Sequence, residues 1–243
     1  FESCRGRRKT SNAVPIKQRQ VMAQPDPNRL SLGRMQNPVR GLLHGLAALL
    51  SAVAVVALIE EASGPIRVAV AAIYGTALIG VFTTSTLYHT IPWRSRWKTL
   101  FQRMDHIWIY ALVAATFTAL MVGTLDGWVV GFGIALVWGI GLLGALKECR
   151  PGLRVRKILF FQLLLGAALM APLVAMLDQM QPRPLVLTLL GGGAYLIGVG
   201  MFVRSWPRLV PRVFSYHEVF HIVVVVAAIA HFLAVREVVL PPA

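Results

Sequence analysis

Long apolar stretches separated by short polar connections occupy most of the chain after residue 40. Seven of these stretches have roughly the length of helix that crosses a hydrocarbon core about 30 Å thick. They are expected at Gly41–Leu58, Val68–His89, Asp105–Val122, Trp128–Leu146, Ile158–Leu177, Leu185–Val203 and His217–Val235. The pattern predicts an all-α integral membrane protein in which residues 37–243 form one domain of seven transmembrane helices.

The basic residues alternate from one side of the predicted membrane domain to the other. Of the 24 Lys and Arg residues, all but three lie in the N-terminal tail or in the connections after the second, fourth and sixth spans. The exceptions are Arg67, Arg183 and Arg236. By the positive-inside rule, the N-terminus is cytoplasmic and the C-terminus lies outside the cell membrane. The net charge of +14 therefore indicates topology and attraction to anionic lipid headgroups at the cytoplasmic face, and nucleic acid is not an expected partner.

Residues 1–36 differ from the rest of the chain because they are polar and basic and contain no apolar run. They are expected to form a flexible N-terminal tail without a cleavable signal peptide. The two cysteines, Cys4 and Cys149, both fall on the predicted cytoplasmic side, where disulfides are disfavoured. Their spacing is not that of a thiolate metal site.

Three histidines are candidate metal ligands at the cytoplasmic end of the predicted bundle. His217 and His221 are four residues apart and share one face of the last helix. An apolar segment offers imidazole no water, and a divalent cation satisfies two rings at once. Alternate crossings bring the end of span two beside the start of span seven, so His89 can supply a third ligand. Three protein ligands with an open fourth position are typical of a catalytic zinc site, and Zn²⁺ is the expected cofactor.

Asp105 and Ser85 are the candidate catalytic residues beside this metal. Asp105 opens span three at the same face, and Ser85 lies one helical turn from His89 on span two. Asp105 would orient a zinc-activated water or shuttle its proton, and Ser85 would hydrogen-bond an oxyanion or a ligand. Taken singly, each residue has a simpler interpretation. Asp105 interacts favourably with the helix dipole, and His89 lies beside an aromatic belt.

Two further histidines are not expected to bind the metal. His44 lies near the cytoplasmic end of span one and is interpreted as a headgroup or packing contact. His231 lies near the outer end of span seven, too far along the helix to share a metal with His217 and His221. It is interpreted as an interfacial residue.

The segment from His217 to His221 also matches the H-E-x-x-H pattern of zinc proteases, in which the glutamate is the general base. Leu125-Asp126-Gly127 resembles the motif that supplies a third ligand in intramembrane metalloproteases. The predicted topology argues against this combination, because Asp126 falls in an outer connection about 30 Å from the histidines. The order of the two motifs is also reversed relative to that family.

Three segments carry a resemblance to a known family. Ser85–His89 (STLYH), Met104–Tyr110 (MDHIWIY) and Tyr216–His221 (YHEVFH) resemble, in family order, the signature blocks of the haemolysin III family. This is the bacterial branch of the progestin and adipoQ receptor (PAQR) family, which is similar to alkaline ceramidases. The match covers about residues 37–232. It implies seven helices in a bacterial inner membrane and zinc held by His89, His217 and His221, with Asp105 contacting the zinc-bound water and Ser85 nearby.

The resemblance also implies a class of function. Related members hydrolyse ceramide-like lipid amides or sense lipids, and the bacterial branch is linked to haemolysis and membrane homeostasis. A zinc-dependent hydrolase of lipid amides is the leading expectation, with membrane lipids as substrate or ligand. Two alternatives stay open, a non-enzymatic lipid or membrane-state sensor with structural zinc and a membrane-permeabilising haemolysin.

The chain departs from the family pattern in two places. Residues 114–119 read AATFTA where the family has AGTYTP, and the family's Thr-His-Gly near span one is kept only as Leu43-His44-Gly45. Loss of the glycine and proline is expected to alter helix packing in span three and the shape of the substrate pocket.

Overall fold

The computed structural model describes residues 31–32, 35–150, 155–210 and 213–240, and almost all of them are helical. The helices are α1 (Pro38–Glu61), α2 (Pro65–Thr90), α3 (Ser95–Thr124), α4 (Trp128–Glu148), α5 (Val155–Ala168), α6 (Met170–Met176), α7 (Pro182–Arg204) and α8 (Tyr216–Val239). A short antiparallel pair of two-residue strands, β1 (Ser31–Leu32) and β2 (Met35–Gln36), precedes α1. The predicted all-α class is confirmed. Most of the predicted flexible tail lies outside the described residues.

Local sequence signals account for several helix starts. Pro38, Pro65 and Pro182 each occupy the first position of a helix, where the missing N–H would have no intrahelical partner. Helix α8 begins with a capping box instead. The Ser215 side chain binds the third backbone N–H of the helix, and the Glu218 carboxylate accepts from the Ser215 N–H at 2.8 Å.

The helices pack mainly against their sequence neighbours, and α8 closes the bundle. Helix α1 packs on α2, α2 on α3 and α3 on α4, while α8 packs on α7 and also contacts α1, α2 and α3. Two ion pairs fix the relative direction of α1 and α8. Arg40 joins Glu218 near the starts of the two helices, and Glu61 joins Arg236 near their ends. Helices α1 and α8 therefore run in the same direction.

The outer surface of the bundle is apolar, as a hydrocarbon environment requires. Large side chains such as Leu49 and Val53 on α1 and Phe132 on α4 are more than half exposed. Six helices, α1, α2, α3, α4, α7 and α8, are long and apolar enough to cross a membrane among the residues that the structure describes. The protein is therefore a multi-pass membrane protein.

The fifth expected span, Ile158–Leu177, is not one continuous helix. It is divided into α5 and α6, with Leu169 between them. Pro172 explains the position of the break, because a proline ring lacks a backbone N–H and clashes with the carbonyl four residues earlier, which is that of Ala168. One polar contact and one ion pair locate the two ends of this segment. His106 meets Glu148 at the end of α4, whereas Arg183 at the start of α7 meets Glu237 at the opposite end of the bundle.

Candidate metal centre

Three imidazoles from two helices converge at the end of the bundle where α8 begins. His89 lies one residue before the end of α2, and His217 and His221 lie in the first two turns of α8. Each offers one ring nitrogen, and the three nitrogens all lie within 4.8 Å of one another. The rings of His217 and His221 are nearly parallel, with centroids 5.0 Å apart, and the His89 ring is perpendicular to both. The three histidines predicted from the sequence therefore form one cluster.

The cluster is largely buried, so its ring nitrogens need partners other than water. His89 and His221 are 5% and 4% exposed, and His217 is partly buried. The Nδ1 atom of His221 lies 2.8 Å from the Nε2 atom of His44, whereas the Nε2 atom of His221 is buried without a hydrogen-bond partner among the described residues. A buried polar atom that lacks a partner in the protein is rare and needs an explanation. Coordination of a cation by His221 Nε2 would satisfy it.

The donor set itself fits a divalent transition metal. Neutral imidazole is a good ligand for zinc, copper, iron and nickel, whereas calcium and magnesium prefer oxygen. Three ligands from the protein leave room for a further ligand such as a water or a substrate. The residues present could therefore hold a metal ion with an open position.

The two predicted catalytic residues lie together beside the cluster. Ser85 is 2% exposed on α2, one turn before His89, and its side chain hydrogen-bonds the carboxylate of Asp105 on α3. The Tyr195 phenol on α7 and the His106 ring are close enough to Asp105 to interact with it electrostatically. A carboxylate on α3 thus meets α2 at the histidine end, within electrostatic range of the Tyr195 phenol on α7.

Glu218 is already occupied and does not resemble the general base of a zinc protease. Its Oε1 atom accepts from Arg40 Nε at 2.7 Å, and its Oε2 atom accepts from the Ser215 N–H at 2.8 Å. The carboxylate therefore anchors the start of α8 to α1. Asp126 is just beyond the end of α3, 21 residues and about 30 Å along the helix direction from Asp105. The structure brings the elements of the protease motif to opposite ends of the bundle.

His44 makes a packing contact inside the bundle. It is 3% exposed, and its ring contacts both His221 and Phe82, with centroid distances of 4.2 Å and 5.2 Å. It is a packing contact, as one part of the interpretation held, but its partner is a candidate ligand and it does not reach a headgroup. No local sequence signal indicates this contact, because His44 and His221 are 177 residues apart.

His231 packs between two helices. A Cβ atom added at Gly191 of α7 would lie 2.7 Å from His231 Nε2, and the ring hydrogen-bonds the Thr188 backbone. The absence of a side chain at Gly191 thus makes room for the imidazole. The structure does not bring His231 into the cluster of His89, His217 and His221.

A second polar contact at the same end joins α3 to α4. His106 Nδ1 lies 3.2 Å from Glu148 Oε2, and Glu148 is 3% exposed. Its other oxygen is buried without a hydrogen-bond partner in the described part of the chain. Tyr110 lies one turn along α3 and interacts electrostatically with the same carboxylate. Sequence analysis did not single out this contact, because Glu148 shares no motif with His106.

Comparison with known proteins gives the family. A family model described as "Haemolysin-III related" matches residues 33–232. The chain belongs to the haemolysin III family. It is 27% identical over 208 residues to "Hemolysin-3" of Bacillus cereus, covering 83% of this chain and 91% of that protein. It is 26% identical over 202 residues to "Hemolysin-3 homolog" of Bacillus subtilis strain 168, covering 80% and 90% respectively. The resemblance read from the three sequence blocks is confirmed.

Membership of the haemolysin III family agrees with the architecture. The matched region begins just before α1 and ends within α8, so it contains all three histidines of the cluster together with Ser85 and Asp105. Six apolar helices and this family assignment place the protein in the bacterial cell membrane as a multi-pass protein.

Proposed function

We propose that this haemolysin III family member is a zinc-dependent hydrolase of membrane lipid amides of the ceramide type, with a role in membrane lipid homeostasis. One observation carries the proposal. Three imidazoles with metal-ligand spacing lie next to a hydrogen-bonded Asp105–Ser85 pair inside a membrane protein. Ionisable residues within membrane segments are expensive and tend to mark function.

The chain supplies both the ligands and the acid–base group that such a hydrolysis needs. His89, His217 and His221 would hold the zinc ion, which when bound acts as a Lewis acid toward a carbonyl and makes water more acidic. Asp105 would accept a proton from the attacking water and return it to the leaving amine. Ser85 would hold the Asp105 carboxylate in position by donating its one hydroxyl hydrogen to it. Once Asp105 has taken the proton of the attacking water, the Ser85 oxygen would accept from the carboxylic acid, and its hydrogen would be available to a developing oxyanion.

The location of the cluster supports a lipid substrate. An apolar groove of about 670 Å³ lies between α1 and α2 and is lined by residues that include Leu42, Leu46 and Leu49. Thr86 and Thr90 form its other wall, each next to a residue of the candidate site on α2. A lipid chain resting in such a groove would bring its polar linkage near the histidine end without leaving the bilayer.

We further propose seven crossings with a cytoplasmic N-terminus. The residues between α4 and α7 lead from the histidine end to the opposite end, which supports a crossing by α5 and α6 together. Basic residues concentrate at the histidine end, where Arg94, Lys98 and Arg103 flank the start of α3. The positive-inside rule then puts the metal centre near the inner leaflet.

The test is hydrolysis by the purified full chain in lipid nanodiscs. The protein, loaded with Zn²⁺ and separately stripped with chelator, is incubated with a panel of ceramides and other N-acyl lipids, and released fatty acid is measured by mass spectrometry. We expect zinc-dependent release from at least one lipid amide, and release slower by about 100- to 10,000-fold from the Asp105→Ala variant. Absence of zinc-dependent release across the panel would contradict the proposed reaction.

A sensor is the second candidate, because the same cluster joins α2 to α8. A metal there could act as a clamp between two helices, and the contact between Arg40 and Glu218 would add α1. Asp105→Ala separates the two readings. A hydrolase loses turnover while keeping its metal, whereas a clamp keeps its lipid response. A haemolysin, the activity in the name of the Bacillus cereus relative, predicts dye leakage from liposomes that does not depend on zinc.

A further inference from the structure

We propose that His44 is a positioning residue that accepts a hydrogen bond from the Nδ1–H of His221 and thereby presents the Nε2 lone pair of His221 to the metal ion. This inference rests on the proposed metal site and goes beyond it by assigning a role to a histidine on α1, a helix that supplies none of the three ligands. It concerns which ring nitrogen carries the proton.

The contact between the two rings is direct and buried. His44 Nε2 and His221 Nδ1 lie 2.8 Å apart, and the two residues are 3% and 4% exposed. The rings meet edge to face with an interplanar angle of 69°. Water therefore has little access to either nitrogen, and one of the two must donate the proton that lies between them.

Metal binding decides the direction of this hydrogen bond. A neutral imidazole carries one proton, so a ring that coordinates through Nε2 must keep its proton on Nδ1. His221 Nδ1 is then the donor, and His44 Nε2 is the acceptor. The reverse direction would place the proton of His221 on Nε2, which is the atom without a protein partner and the one available to a cation. Metal-ligating histidines commonly donate their second nitrogen in this way.

The position of His44 is fixed by contacts on both sides of α1. One turn earlier, Arg40 pairs with Glu218, which lies one turn before His221, so α1 and α8 meet at two successive levels. On the side of α2, a Cβ atom added at Gly41 would clash with Thr90, and one added at Gly45 would lie 3.5 Å from Thr86. Close approach of α1 to α2 at these glycines, with Phe82 against the His44 ring, holds the acceptor in place.

The second ring nitrogen of His44 also supports a functional role for this residue. If His44 accepts through Nε2, its own proton lies on Nδ1, and this atom is buried without a partner among the described residues. Apolar replacement of both His44 and His221 would remove the unsatisfied groups, so stability alone does not favour this pair of buried histidines. Orientation of a ligand gives a reason for retaining the pair.

The experiment compares metal affinity in three variants of the purified full chain. His44→Leu removes the acceptor, His44→Gln replaces it with an amide oxygen, and Ser51→Ala alters a buried polar residue on the same helix face two turns away. Stripped protein is titrated with Co²⁺, followed by its visible absorption, and with Zn²⁺ against a competing chelator. We expect His44→Leu to bind both ions about 10- to 100-fold more weakly, with a changed Co²⁺ spectrum. His44→Gln should recover most of the affinity, and Ser51→Ala should match the wild type.

A second measurement needs no variant. In wild-type protein labelled with ¹⁵N-histidine and loaded with ¹¹³Cd²⁺, coupling to cadmium should appear at Nε2 of His221, and its Nδ1 should carry a proton. Coupling at Nδ1 would overturn the proposal, as would equal affinities of His44→Leu and wild type, or His44→Gln binding as weakly as His44→Leu. A wild type that binds none of the three ions would overturn the metal site itself. Neither readout involves lipid hydrolysis, so failure of the proposed reaction is a separate result.

Discussion

Helices α1 and α8 are joined by an ion pair at each end, and the two ion pairs differ in their burial and in their surroundings. At the histidine end, Arg40 and Glu218 have side chains that are 19% and 8% exposed. At the far end, Arg236 and Glu61 are 47% and 43% exposed. The first pair lies one turn from the candidate ligand His221 and also caps its own helix through Glu218. The second pair lies beside another exposed ion pair, Arg183–Glu237, and away from the three histidines.

The comparison shows that buried polar residues lie beside the candidate metal site, whereas the ion pair of Arg236 with Glu61 at the far end is exposed. An exposed ion pair is screened by solvent and contributes little, whereas a partly buried pair constrains the helices that it joins. The same contrast holds within α8. His221 leaves Nε2 without a protein partner, whereas His231 is hydrogen-bonded to the backbone of the adjacent helix. The Nε2 atom of His221 is available to a cation within the three-histidine cluster, whereas the hydrogen bond of His231 holds that ring in a packing contact with α7.

The largest effect is expected on lipid amide hydrolysis, when an aspartate at one end of the bundle is compared with an aspartate at the other. Asp105→Ala at the histidine end removes the proposed acid–base group, so lipid amide hydrolysis should fall about 100- to 10,000-fold while bound metal is retained. Asp126→Ala at the far end is the matched control and should leave turnover unchanged. Fatty acid release and metal content of both purified variants provide the measurement. Loss of metal or activity in Asp126→Ala alone would instead favour the protease arrangement.

The second effect concerns stability and uses the two ion pairs directly. Arg40→Ala leaves the buried carboxylate of Glu218 without its charged partner and should lower the free energy of unfolding by about 3 kcal/mol. Arg236→Ala removes the exposed pair and should cost about 1 kcal/mol or less. Unfolding in mixed detergent micelles at matched ionic strength measures both. Equal losses in the two variants would show that burial does not distinguish the ends.

The smallest effect is expected at the histidine that is already partnered. His231→Leu removes a ring that packs against Gly191 without touching the cluster, so metal affinity should stay at the wild-type value. His221→Leu, on the same helix, should abolish tight binding because it removes a ligand. Isothermal titration with Zn²⁺ compares the two. A weakened affinity in His231→Leu would mean that the far part of α8 also shapes the site.

Much of this architecture could be predicted from the sequence, because a membrane imposes strong rules on length and polarity. Apolar stretches long enough to cross a bilayer indicated the helices, and the spacing of His217 and His221 placed them on one face. Helix alternation then brought His89 to the same end. The resemblance of Leu125-Asp126-Gly127 to a protease motif could be rejected from the same predicted topology.

Features that depend on side-chain contacts between distant helices were harder to predict. His44 and His221 are 177 residues apart, and nothing in the local pattern shows that their nitrogens meet. Glu218 looked like a general base in its motif, but its pairing with Arg40 depends on the packing of α1 against α8. Pro172 indicated a distortion of the fifth span. It did not predict the division into α5 and α6, because a proline in a membrane helix can also produce only a kink.

The most direct test of the metal centre is the metal content of the purified full chain, measured by plasma mass spectrometry before stripping and after reloading with Zn²⁺. Three imidazoles from α2 and α8 predict one divalent cation per wild-type chain, and loss of that cation in His89→Ala, a variant that leaves both ligands on α8 intact. A wild type without bound cation after reloading, or a His89→Ala variant that holds it as tightly, would contradict a centre shared by the two helices.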